Sequence, residues 1–217
     1  MKMNQLFIGG VVGALCLTAP QIFANTEKLS IDKNNIKVWT YQDVNNPVFS
    51  YKATTTFNVP MDKAIAMVLD VQKTPEWVPN LAKVEVLSQD NQKGDFVLYM
   101  VLDFPFPLKD RDVIVKGKIS KDAKGIISVK NTAVTQGKPL NPDYIRLKDY
   151  QGDWTFQAVA QNKVKVTTSG YADPEGSIPL SVANMFVQQQ PYQMLQKMNV
   201  ELKKPNKKFA ELPAILR

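Results

Sequence analysis

The chain of 217 residues contains no histidine and one cysteine, Cys16. Without histidine, a Ser-His-Asp or Cys-His nucleophile, a histidine general base and a histidine-ligated zinc are all excluded, so any catalysis would rest on Asp, Glu, Lys or Tyr. The sequence also lacks a run long enough to span a bilayer. Its uncharged stretch from Leu6 to Ala19 falls short of the ~20 residues an α-helix needs, and the polar segment Asn25-Thr26-Glu27-Lys28 follows. With Lys2 ahead of it and the small-residue site Ile22-Phe23-Ala24 behind it, the stretch reads as a secretory signal peptide over residues 1–24. Cys16 is a poor lipoprotein attachment site, because Leu15 stands directly before it.

Cleavage near Ala24 is expected to export the chain to the periplasm or beyond, and it removes the only thiol. Stability must then come from an apolar core rather than from disulfides, and one domain of this length can build such a core. The formal net charge is +7, and loss of Lys2 lowers it by one. Such a surplus favours anionic surfaces such as phospholipid headgroups. Nucleic acid is not expected as a partner, because the chain is exported and carries no ladder of interleaved aromatic and basic residues.

Alternation of apolar and polar residues runs from Ile36 to Tyr171 and predicts an antiparallel sheet. The expected strands are 36–44, 49–58, 82–88, 95–104, 112–120, 126–134, 145–160 with a bend at Gly152, and 163–171. Turn residues separate them at Asn45-Asn46-Pro47, Lys93-Gly94, Lys124-Gly125 and Gln161-Asn162. Two helices interrupt the pattern. The first, 60–71, has Pro60 at its opening turn and a stripe of Ala64, Met67, Val68 and Val71. The second runs from Pro179 to about Lys203, ends on basic residues that suit the helix dipole, and holds Pro191 in its interior, which predicts a kinked or two-part helix. A sheet that buries one face under a single C-terminal helix curves around it and leaves a cleft.

Several segments resemble the START family, the lipid-transfer domains related to the steroidogenic acute regulatory protein. They are Asn35-Ile36-Lys37-Val38-Trp39, Val68-Leu69-Asp70, Pro75-Glu76-Trp77-Val78, Gly176-Ser177-Ile178-Pro179 with Asn184, and the most specific, Phe104-Pro105-Phe106-Pro107-Leu108-Lys109-Asp110-Arg111-Asp112. Phe106 stands where many relatives have Trp. The resemblance implies an α+β helix-grip fold over residues 25–204, with a curved antiparallel sheet around a long C-terminal helix that lids an internal cavity. In such domains the lid and a nearby loop move to admit a lipid, and the Gly/Pro-rich connection 135–142 falls where that gating loop is expected. No cofactor and no metal are implied.

The candidate ligand contacts follow from strand parity and helical spacing. On strand 112–120 the set Val113, Val115, Gly117 and Ile119 should face inward, and the same parity selects Val129, Trp154, Phe156, Val164 and Val166. On the last helix the stripe is Ala183, Val187, Met194 and Met198, with Phe186 and Gln190 beside it. Gln190 would be costly there unless hydrogen-bonded. Trp77, Tyr99 and Arg111 complete the lipid-binding candidates. Each apolar position has an ordinary packing explanation beside the functional one, and Asp110-Arg111-Asp112 reads first as an ion pair at a strand entry.

The remaining residues, 205–217, read as a solvated, frayed tail, with docking on an anionic membrane through its lysines as the alternative. The expected function is binding and transfer of one lipid or other hydrophobic small molecule by a monomer that is not an enzyme. The rivals are an aromatase/cyclase-like enzyme using Tyr99, Asp103 and Arg111, and an envelope protein-interaction module whose cavity is filled by its own side chains.

Overall fold

The described residues form ten strands. In chain order these are β1 (Thr26–Lys33), β2 (Ile36–Asp43), β3 (Asn46–Phe57), β4 (Leu81–Asp90), β5 (Asp95–Leu102), β6 (Arg111–Lys121), β7 (Ile127–Val134), β8 (Ile145–Arg146), β9 (Tyr150–Ala160) and β10 (Lys163–Ala172). The computed structural model describes residues 26–43, 46–176 and 178–217; the expected signal peptide with Cys16, its expected cleavage site near Ala24, and Ser177 lie outside them. The strands join in one sheet in the order β1-β2-β3-β10-β9-β7-β6-β5-β4, antiparallel throughout, with β8 running parallel beside β6.

Two helices complete the fold. α1 (Met61–Leu69) follows Pro60 and buries Ala64, Ile65, Ala66, Met67 and Val68, and a 3-10 segment, Val71–Glu76, continues from it. α2 (Leu180–Lys203) is the long C-terminal helix. It runs unbroken across Pro191, so the expected division into two parts does not occur. The proline is buried, and the helix continues past it without the one bond its missing N–H would make.

Three further expectations change. β1 was not anticipated: Thr26-Glu27-Lys28-Leu29-Ser30-Ile31-Asp32-Lys33 is too charged to read as a half-buried strand, yet it pairs with β2 from Thr26 to Lys33. Charges are what an edge strand uses to discourage further pairing. The segment 145–160 is two strands separated at 147–149, not one strand bent at Gly152, since β8 turns aside to pair with β6. The third concerns residues 205–217, which are not frayed: Phe209, Leu212, Ile215 and Leu216 pack against the main core, and Ala214–Leu216 forms a short 3-10 turn.

α2 lies over one side of the sheet, against β2 and β3. There Leu195, Met198 and Leu202 meet Val38, Ala53, Phe57, Val164, Val166, Ile65 and Met67 in one buried cluster. The other side, β4 to β6, carries its own cluster of Leu81, Val84, Leu98, Val113, Val115 and Leu147. A single helix set to one side of so wide a sheet leaves the space between the two clusters unfilled.

Candidate ligand cavity

That space is a cavity of about 800 Å³, adjoined by a smaller one of about 160 Å³ that shares Tyr51, Val78, Leu81, Met100, Tyr150 and Met194 with it. The larger volume falls within the ~300–1,000 Å³ usual for a small-molecule site. Its walls are mainly apolar: Val68, Val71, Trp77, Val84, Val86, Phe96, Leu98, Val115, Ile119, Val129 and Trp154 among them.

Phe96, Tyr150 and Tyr51 form the floor, and beneath them a row of glycines runs across the sheet, of which Gly152 itself reaches the cavity. Gly117 opposes Phe96 on one side and Asn131 on the other, while Gly152 opposes Gly170, which opposes Tyr51. Large side chains lie flat over them: a Cβ on Gly117 would stand 2.0 Å from the Phe96 ring, one on Gly152 2.5 Å from the Tyr150 hydroxyl, and one on Gly170 2.9 Å from the Tyr51 ring. The glycines lower the floor by one side-chain layer.

Aromatic packing and a few polar atoms shape one wall. Trp77 meets Trp154 edge-on with centroids 6.1 Å apart, and Trp154 stacks on Phe156 at 6.2 Å. Burial pushes the phenols of Tyr51 and Tyr150 up from their ordinary values, so both stay neutral. Asn131 donates to the Gly152 carbonyl at 2.6 Å, but its Oδ1 and the Trp77 indole N–H are buried without a hydrogen-bond partner. Such atoms are uncommon in a settled core and common where a polar guest completes the site.

The sequence candidates separate into three groups. Trp77, Val115, Val129, Trp154 and Met194 line the main cavity, and Ala183, Phe186, Val187, Gln190 and Met194 line the smaller one. Gln190 is satisfied, donating to the Pro79 carbonyl at 3.0 Å. Val113, Phe156, Val166 and Met198 are fully buried in the two clusters, outside the cavity lining.

Tyr99 and Arg111 belong elsewhere. Tyr99 is on the opposite face of β5 from Leu98 and Met100, in a small cluster with Val101 and Ile114, and donates to Asp112 Oδ2 at 3.0 Å. Burial and that carboxylate push its phenol up to about 12. Arg111 is 1% exposed, and its guanidinium donates to the carbonyls of Pro174 (3.0 Å), Glu175 (3.1 Å) and Lys109. It also lies over the Phe104 ring at 4.3 Å. The expected ion pair within Asp110-Arg111-Asp112 does not form: Asp112 pairs instead with Arg146 at 2.8 Å through both oxygens. Tyr99, Asp103 and Arg111 therefore do not converge, and only Asp103 lines a cavity.

The connection 135–142 is also displaced from its expected place. Gly137 lies over Ile114 and Leu87, Lys138 pairs with Glu85 at 2.6 Å and covers the Tyr99 ring, and Arg146 binds the carbonyls of Lys138 and Pro139. These contacts pin it to the outer face of the sheet, away from both cavities. The loop that meets α2 is 103–110, between β5 and β6. Its Phe104 packs on Phe186 of α2 with centroids 5.4 Å apart, Phe106 at its tip is 97% exposed, and the Phe106-Pro107 bond is cis. Exposed aromatic residues between prolines were the sequence mark of this loop. The residues missed altogether were Tyr51, Phe96, Leu98, Met100 and Tyr150, together with Ala210, Leu212 and Pro213 of the C-terminal segment.

Comparison with known proteins gives a consistent result. The family model described as the START domain matches residues 27–208. An uncharacterized protein of Pseudomonas aeruginosa is 27% identical over 177 residues, covering 82% of this chain and 87% of its own. Phosphatidylcholine transfer protein of Bos taurus is 25% identical over 174 residues, covering 77% of this chain and 80% of its own. Among solved structures, the StAR-related lipid transfer protein of Xanthomonas axonopodis superposes with a TM-score of 0.75 at 26% identity, over 82% of this chain and 99% of that one.

Proposed function

This chain belongs to the START domain family, and from that premise we propose that it binds one lipid or other hydrophobic small molecule in the cavity beneath α2 and carries it between membranes. The observation that carries the reading is the cavity itself: about 800 Å³ walled by Val, Leu, Met, Phe and Trp side chains, too large to be a packing defect. Relatives named for lipid transfer and for phosphatidylcholine transfer support a lipid as the guest. A cavity of this size also counts against a protein-interaction module filled by its own side chains.

Carriage has a physical purpose. Bringing a 16-carbon chain into water costs on the order of 12 kcal/mol at ~0.8 kcal/mol per methylene, so unaided desorption is slow. A cavity that covers the chain removes most of that barrier. Entry is by parting of the 103–110 loop from the first turns of α2, where Phe104 and Phe186 are the closing contact. Export to the periplasm, contact with an anionic bilayer and a monomeric state complete the proposal. No chemical step is included, because Tyr99 and Arg111 have their polar atoms engaged away from the cavity.

Native mass spectrometry of the chain purified from its own envelope, with extraction of bound lipid, tests the reading. A hydrophobic adduct is expected, and Met194→Trp, which adds bulk at a wall shared by both cavities, should abolish it without unfolding. No adduct, together with no lipid movement between vesicles, would refute the carrier.

A further inference from the structure

Residues 209–217 lie beyond the part of the chain that the family model matches, yet they close one end of the cavity. After α2 the chain turns back, and Ala210, Leu212, Pro213 and Ala214 line the space opposite Val71, Thr74, Gln89 and Gln92. The segment is a strap between the 3-10 turn after α1 and the β4–β5 hairpin. It meets that hairpin where the Ile215 N–H donates to the Asn91 carbonyl at 3.2 Å, and Ile215 also packs near Gly94. The 103–110 loop is at the opposite end of β5, so the cavity has two distinct closures.

The strap packs on the core through Phe209, Leu212, Ile215 and Leu216, but its polar ties are few. Its other main-chain tie is the Ala210 N–H to Asp70 Oδ2, at 3.2 Å, and Lys73 bridges the same oxygen and the Lys208 carbonyl. Its root is pinned by charge: Lys207 contacts Glu201 at 2.5 Å and Glu76 at 3.1 Å. Lys203, Lys204 and Lys208 stand exposed around that pin.

We propose that the strap is a second portal to the cavity, released when this lysine cluster meets an anionic bilayer. Lipid phosphates compete with Glu201 and Glu76 for Lys207, and peeling 209–217 from the hairpin exposes the cavity without disturbing a strand or α2. The proposal rests on the carrier reading above and adds to it where the guest leaves and what triggers its exit.

The test follows release of a dansyl-labelled fatty acid from the full chain into vesicles of phosphatidylglycerol or of phosphatidylcholine. Phosphatidylglycerol should accelerate release at least tenfold over phosphatidylcholine. Ending the chain at Lys208 should give the fast rate on both. In a Cys16→Ser background, joining Asn91→Cys to Ile215→Cys as a disulfide should hold the slow rate on both until it is reduced. Circular dichroism and urea melts report whether the shortened chain folds, and the stapled variant carries the test if it does not. Equal rates with the staple formed and reduced, on phosphatidylglycerol, would overturn the portal and leave the carrier standing. A wild-type chain that takes up no probe would overturn both.

Discussion

The two ends of the cavity are closed by different physics. At the 103–110 end a fixed anchor carries a movable contact: a buried guanidinium satisfies three carbonyls from two separate segments and supports Phe104, whose ring contact with Phe186 is the part that opens. At the strap end the closure is charge-held, a few apolar side chains pinned by Lys207 between the buried Glu201 and the exposed Glu76. Arg111 cannot leave its place without orphaning those carbonyls, whereas Lys207 can exchange one anion for another. One end opens at a ring contact above an anchor that stays, and the other where charges exchange partners.

The sharpest way to break this contrast is Arg111→Met. Losing a buried guanidinium's charged hydrogen bonds to three carbonyls should destabilise the chain by about 3 kcal/mol or more, read as a lowered urea midpoint. At the strap end Asp70→Ala removes the acceptor of both Lys73 and the Ala210 N–H, and about 1–2 kcal/mol is expected. A loss at Asp70 equal to that at Arg111 would erase the distinction. The ring contact is smaller again: a double-mutant cycle on Phe104→Ala and Phe186→Ala should give a coupling of about 1 kcal/mol.

Acid should produce the smallest of these effects at the strap. Hydrogen bonds from Lys204 and then Lys207 hold the Glu201 carboxyl below its usual range. Its contribution is therefore complete above the unfolded value of about 4.3 and disappears as pH falls through the lower folded value. Protease access to the C-terminal segment should rise across that window, and Glu201→Gln should weaken that dependence, with Asp70 and Glu76 left as the carboxylate ties.

Much of the sheet was legible because half-burial imposes alternation. On β6 the inward set Val113, Val115, Gly117 and Ile119 is buried and Lys116, Lys118 and Ser120 are exposed, as parity requires, but Ile114 of the outward set is buried under the 135–142 connection. Where both faces are covered the code is lost. Phe96-Val97-Leu98-Tyr99-Met100-Val101-Leu102 is apolar at every position, so nothing local says that Tyr99 points away from the cavity. Long-range partners are equally silent: Asp112 sits beside Arg111 in sequence but bonds Arg146, and the apolar residues at 209–216 are visible without any sign of where they dock. The Gly/Pro content of 135–142 suggested a movable loop, whereas contacts with Glu85, Ile114 and Arg146 decide its position.

The glycine floor gives the cavity an evolutionary dimension. Its depth under Phe96, Tyr150 and Tyr51 is set by the absence of side chains at Gly117, Gly152 and Gly170. A single nucleotide change can convert a glycine codon to alanine, which would lift the ring above it and reshape the chamber locally while leaving the apolar walls in place. Descendants of such a chain could drift from one guest to another by small steps along this row, with cargo preference evolving separately from the residues that keep the fold.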